Sequence, residues 1–61
     1  MDTMNISVEG LNVNTVTKAL KSIRGVAGVD VDLSENLAIV TFDETEVNGD
    51  VLRRAVMGTK H

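Results

Sequence analysis

Met4-Asn5-Ile6-Ser7-Val8-Glu9 alternates apolar and polar residues. A period of two marks a strand with one buried face, here Met4, Ile6 and Val8. Gly10 ends the pattern, since a glycine permits a turn that a Cβ opposes. The period then lengthens. Val16, Ala19, Leu20 and Ile23 stand at i, i+3, i+4 and i+7, one face of a helix. The spacing predicts this helix over Thr15 to Arg24, capped by Asn14 or Thr15, with Lys21 and Arg24 in its last turn and Gly25 just beyond. Alternation returns in Val29-Asp30-Val31-Asp32-Leu33, which sets Val29, Val31 and Leu33 on one face. Ser34-Glu35-Asn36 is a polar break of hairpin size. Leu37-Ala38-Ile39-Val40-Thr41-Phe42 is apolar almost throughout and reads as the central strand, with Ala38, Val40 and Phe42 toward the core. After the acidic connection Asp43 to Glu46, Asn48 is a good cap for a second helix, Gly49 to Met57. Asp50 lies in its first turn, Val51, Leu52, Ala55 and Val56 form its apolar stripe, and Arg53 and Arg54 face outward.

The order is strand, helix, strand, strand, helix, with only Gly58 to His61 left for a fourth strand. Two helices on one face of an antiparallel sheet make an α+β sandwich of the split βαβ, ferredoxin-like kind, βαββα(β) with the fourth strand short or missing. At 61 residues the chain is one domain, 1–61, near the lower limit of independent folding. A missing fourth strand leaves the edge of the first strand open, a place for strand addition or self-association.

Composition narrows function mainly by exclusion. Six Lys and Arg against nine Asp and Glu give a net charge of −3, and Phe42 is the only aromatic. An acidic surface repels phosphate backbones, and one Phe cannot form a base-stacking platform, so nucleic acid is not an expected partner. No apolar run reaches the length of a membrane span, and Met1 to Asn5 has neither the basic nor the apolar stretch of a secretory signal, so a cytoplasmic location is expected. There is no cysteine to form a disulfide or a zinc clip.

Several residue groups together resemble the heavy-metal-associated domain family, the copper chaperones and amino-terminal modules of metal-transporting P-type ATPases. They are Gly10, Lys18-Ala19-Leu20, Ile23-Arg24-Gly25-Val26, Val29 to Leu33, Ala38 to Asp43 and Leu52 to Val56. The resemblance covers about Met4 to Met57. It implies the ferredoxin-like fold and a loop of form G-M-x-C-x-x-C, whose two thiolates hold Cu(I) and pass it on by ligand exchange. In this chain Leu11 stands at the loop methionine, and Val13 and Val16 stand at the two cysteines. Valine nearly matches cysteine in volume but has no lone pair to donate. The stretch Gly10, Leu11, Asn12, Val13, Asn14, Thr15 and Val16 is therefore read as a former metal loop with no metal ligand left and no cofactor expected. Within it, Val16 also fits as the first core residue of the helix, and Leu11 with Val13 fits as a small apolar tip for a partner. The resemblance implies a protein partner such as a metal-transporting ATPase or the parent chain of the domain.

Other groups carry less. Met1, Met4, Met57 and His61 are the only remaining soft or imidazole donors, and a residual copper site would have to come from them. Asp30, Asp32 and Glu35 lack the spacing of a calcium loop and read as a solvated strand face. Arg53 and Arg54 with Lys21, Arg24 and Lys60 read as a solvated helix face. Ser7, Ser22 and Ser34 have no histidine partner in view, so catalysis is not expected.

Overall fold

The computed structural model describes residues 1–59; Lys60 and His61 lie outside them. Its elements are β1 (Asp2–Ser7), α1 (Val13–Lys21), β2 (Val26–Asp32), β3 (Leu37–Phe42) and α2 (Gly49–Met57). The three strands form one antiparallel sheet in the order β1-β3-β2. Both helices pack on one face of it, α1 against β2 and α2 against β1, and they also pack against each other. The expected α+β ferredoxin-like sandwich is what forms, with three strands among the described residues. No helix among those residues is long and apolar enough to cross a membrane.

The apolar patterns account for the core. Its buried residues are Ile6, Val8, Val16, Leu20, Ala38, Val40, Phe42, Val47, Leu52 and Val56, and among the described residues no polar or charged side chain is buried with them. β3 is central because it is the one strand apolar enough to be flanked on both edges. Its register pairs Ile6 and Val31 with Ala38, and Met4 and Val29 with Val40, so the core-facing positions of all three strands fall on common lines. The face away from the helices carries Thr3, Asn5 and Ser7 beside Leu37, Ile39 and Thr41, with Asp30 and Asp32 on the far side.

Four expected boundaries or faces differ. β1 starts at Asp2 and ends at Ser7; Val8 is past its end yet buried, its N–H donating to the Asn36 carbonyl at 2.8 Å. α1 runs Val13–Lys21, not Thr15 to Arg24, because Asn12 is its cap and Ser22 ends it. The Ser22 hydroxyl donates to the Ala19 carbonyl at 2.7 Å, competing for a helical acceptor. Arg24 and Gly25 therefore lie in the turn beyond the helix. Gly25 is in the left-handed region (φ +99°), and a Cβ there would stand 2.9 Å from Val47 Cγ1. β2 begins three residues early, at Val26, with an irregularity that leaves Ala27 unpaired between Val26↔Phe42 and Gly28↔Thr41, which is why strict alternation is lost there. Leu33 and Val51 are not core residues. Leu33 is 69% exposed because it belongs to the turn between β2 and β3, and Val51 is 41% exposed at the rim of the α2 stripe.

Two acidic side chains hold turns. Asp32 accepts from the Ser34 hydroxyl and amide at 2.6 and 3.0 Å, and Asp43 accepts from the Thr45 hydroxyl and amide at 2.7 and 3.0 Å. These bonds favour the carboxylate form, so both pKa values lie below the usual range, the side-chain hydroxyl being the largest cause. Glu44 shifts the other way: its bond to the Asp2 carboxyl and the charge of Asp2 raise its pKa.

Leu52 is fully buried between the layers. Leu52→Ala is expected to destabilise the domain by about 2–5 kcal/mol, read as a lower urea midpoint with little change in slope.

A group whose pKa is depressed on folding stabilises above its unfolded pKa and loses that contribution as pH falls through the folded value. Asp43→Ala should therefore lower the melting temperature at neutral pH, and the gap from the parent should close below the ordinary carboxylate range. A gap unchanged in acid would show that the Asp43 carboxylate is not the cause.

Candidate functional site

The Gly10 to Val16 stretch links the end of β1 to the first turn of α1, and its shape is set by its own hydrogen bonds. Gly10 turns the chain at φ +78°, in open space with nothing near the position of a Cβ. The Leu11 amide then donates back to the Val8 carbonyl at 3.0 Å. Asn12, in extended geometry (φ −79°, ψ 113°), starts the helix. Its side-chain oxygen accepts the Thr15 amide at 3.1 Å, and its carbonyl accepts the Val16 amide at 3.0 Å. The first turn of α1 carries no acidic residue. The cap alone satisfies one of the free N–H groups there.

The seven residues part into an inward and an outward set. Val16 is fully buried, and Leu11 and Val13 are half-buried and packed against the core. Val13 is the first residue of the helix rather than part of the loop, so Val13 and Val16 stand three apart on one helix face. Leu11 and Val13 thus anchor the loop instead of standing free of it as an apolar tip. Asn12, Asn14 and Thr15 face solvent with Gly10.

This donor set does not fit a soft metal ion. Between Gly10 and Val16 the only side-chain donors are amide and hydroxyl groups, hard ligands unsuited to Cu(I), and the Asn12 oxygen already serves the helix. The inward positions that could enclose an ion carry hydrocarbon. The methionines do not supply a substitute. Met4 Sδ lies beside Gly49, at the start of α2, 3.3 Å from where a Cβ would sit. Met57 ends α2, about 12 Å further along it by helical rise, and is 65% exposed. Met1 is 81% exposed at the start of the chain. The expected involvement of His61, like that of Lys60 in a basic patch, falls outside the described residues. Among those residues no three His, Cys, Asp or Glu gather as a metal site.

The serines considered for catalysis are structural or solvent-facing. Ser22 bonds the Ala19 carbonyl, Ser34 bonds Asp32, and Ser7 is exposed on β1. Sequence reasoning missed the role of Asn12. The signal was there: an Asn three residues before Thr15, ahead of an apolar face beginning at Val13.

Comparison with known proteins agrees with this architecture. The model of the heavy-metal-associated domain matches residues 10–61. The chain is 37% identical over 57 residues to the mercuric transport protein periplasmic component of Shigella flexneri, covering 87% of this chain and 63% of that protein. It therefore spans less than two thirds of that relative. It is 34% identical over 55 residues to the copper chaperone CopZ of Staphylococcus haemolyticus (strain JCSC1435), covering 84% of this chain and 81% of the chaperone. Among solved structures, a copper binding domain from HMA7, a P-type ATPase, superposes with a TM-score of 0.86 at 27% identity, covering 97% of this chain and 85% of that one.

Asn12→Ala removes the cap while leaving the inward valines in place. It is expected to cost about 1 kcal/mol of unfolding free energy and to raise amide exchange over Asn14 to Val16. Unchanged exchange there would show that the loop is held by something other than Asn12.

Proposed function

The chain belongs to the heavy-metal-associated domain family, and from that premise we propose that it is a non-enzymatic member without the thiolate site. It acts as a structural or protein-contact module, a metal-dead form of a copper-handling domain. The observation that carries this reading is chemical: a complete, hydrogen-bonded loop with valine at 13 and 16 and no cysteine anywhere in the chain. The fold keeps the loop without a metal because Asn12 and the buried Val16 hold it.

The partner in this reading is a protein: a metal-transporting ATPase, or the rest of a longer chain that contains this domain. Support comes from the company the fold keeps, a copper chaperone and a copper binding domain of a P-type ATPase. The contact surface is the solvent side of the loop, Gly10, Asn12, Asn14 and Thr15, with the outward sides of both helices. The loop part of this surface is neutral and polar, while the outward helix sides add Lys18, Lys21, Arg53 and Arg54 with Asp50. The hydroxyls that meet a carboxylate, Ser34 on Asp32 and Thr45 on Asp43, tighten exposed turns, which supports a role without catalysis.

A Cu(I) titration against a competing chelator under reducing conditions tests the reading. It compares the chain with its Val13→Cys/Val16→Cys variant. Competition by the double-cysteine variant alone is the expected outcome and identifies a metal scaffold with its ligands removed. Equal competition by both would place donors elsewhere and overturn the reading. Competition by neither would mean that the loop geometry has drifted from a metal-competent one, and the description as a metal-dead copper domain would fall. A strong chelator should leave the melting temperature of the parent chain unchanged.

A further inference from the structure

Five asparagines stand in the chain, and only Asn48 is followed by glycine. The others precede Ile6, Val13, Thr15 and Leu37, whose side chains screen the peptide nitrogen behind them. An Asn–Gly peptide has no such screen. Its glycine nitrogen can swing round to the asparagine side-chain carbonyl and close a five-membered imide. The fold does not require this glycine. Gly49 is the first helical residue of α2 and lies outside the left-handed region. A Cβ there would meet only the flexible thioether of Met4, with Sδ at 3.3 Å.

The caps of the two helices differ in this one respect. Asn12 and Asn48 accept the same kind of hydrogen bond, but Val13 follows the first and Gly49 the second. Asn48 is exposed and extended (φ −105°, ψ 166°), and its side-chain oxygen accepts the Val51 amide at 3.1 Å. Ring closure needs Cβ of Asn48 and the Gly49 nitrogen eclipsed about the Cα–C bond. At ψ 166° they are far from eclipsed, and the side chain is turned to Val51 instead. The cap thus holds the peptide in an unreactive shape.

We propose that Asn48–Gly49 is a self-modifying site gated by the cap of α2. When the first turn of α2 opens, the Gly49 nitrogen gives its proton to solvent base and attacks Asn48 Cγ. A C–N bond forms, the bond from Cγ to the amide nitrogen breaks, and that nitrogen leaves as ammonia after taking a proton from water. Water then opens the imide at one of its two carbonyls. Cleavage at Cγ leaves aspartate in the normal chain. Cleavage at the main-chain carbonyl leaves isoaspartate, with the chain running through the side chain. The net change in both cases is amide plus water to carboxylate plus ammonium, with no oxidant or reductant.

The two products act on α2 in opposite directions. Aspartate caps as well as asparagine, and its charge suits the positive end of the helix. It takes the net charge of −3 one unit lower and adds a carboxylate to a cavity of about 400 Å3 already walled by Glu44 and Glu46 with Arg24. Isoaspartate lengthens the main chain by one carbon between two buried anchors, Val47 and Leu52. It also removes the side-chain oxygen from the position that accepts the Val51 amide. Val47 packs directly on the backbone of Gly25, its Cγ1 2.9 Å from where a Cβ would be, so the extra length falls on the start of α2. This site shares no residue with the Gly10 to Val16 loop and does not depend on metal.

The test incubates the whole chain and a capped Val-Asn-Gly-Asp-Val peptide side by side in neutral buffer at body temperature. Conversion is read as the mass gain of amide to acid and mapped by fragmentation, and isoaspartate is counted with an isoaspartyl methyltransferase. Asn48 should convert first, and more slowly in the chain than in the peptide. The slowing should match the protection of the Val51 amide from hydrogen exchange, since one opening exposes both. Gly49→Ala should keep the fold and bring Asn48 down to the rate of the other four asparagines. Asn48→Asp should melt with the parent or above it, while the purified isoaspartyl form should melt lower. The proposal is overturned by earlier conversion at another asparagine, by equal rates in chain and peptide, or by a slowing unrelated to Val51 protection. Persistent conversion in Gly49→Ala, or an isoaspartyl form as stable as the parent, overturns it too. None of these outcomes bears on the copper titration.

Discussion

Apolar interlock between one sheet face and two helix stripes is the interaction on which the remaining structure depends. Each nine-residue helix contributes only two fully buried side chains, Val16 and Leu20 from α1, Leu52 and Val56 from α2, each pair at i, i+4. Helices of that length are marginal in isolation, so they exist because β3 offers Ala38, Val40 and Phe42 as a floor and because capping lowers the cost of starting them. Both helices are started in the same way: Asn12 accepts the Thr15 amide and Asn48 accepts the Val51 amide, each at 3.1 Å. With no buried polar side chain among the described residues to specify register, the alternation of the strands does that work.

That dependence explains how much was legible from the chain. β3 and α2 have the expected bounds, because an apolar run between polar turns and an Asn before an apolar stripe are strong local signals. α1 is displaced by two to three residues because three residues suited to capping compete, Asn12, Asn14 and Thr15, and only the packing of Val13 decides among them. The early start of β2 was hidden by the extra residue at Ala27, which breaks the period that reveals a strand. Leu33 was assigned to the core by alternation, but a turn tightened by Asp32 and Ser34 carries it into solvent. The loop could be located from sequence, and its lack of soft ligands could be read there directly. How Asn12 holds it was missed, although an Asn three residues before Thr15 signals it.

The loop also separates two kinds of content that a binding site usually mixes. Its conformation comes from backbone and cap: Leu11 to Val8, Thr15 and Val16 to Asn12. Its chemistry would come from side chains at 13 and 16, which here are packing residues. The first can persist without the second, which is why family membership and the family's activity are distinct statements about this chain.

The two left-handed glycines show where such a change is tolerated. Gly25 is fixed twice over, by φ +99° and by Val47 Cγ1 at 2.9 Å from any Cβ, so the turn from α1 into β2 admits almost no other residue. Gly10 is constrained by its torsion alone, with open space around it, so even asparagine could hold the turn at modest strain. The two ends of the sandwich therefore differ in evolvability. The end at Gly25 is locked by the core it closes, while the loop end can exchange its chemistry and leave the architecture standing.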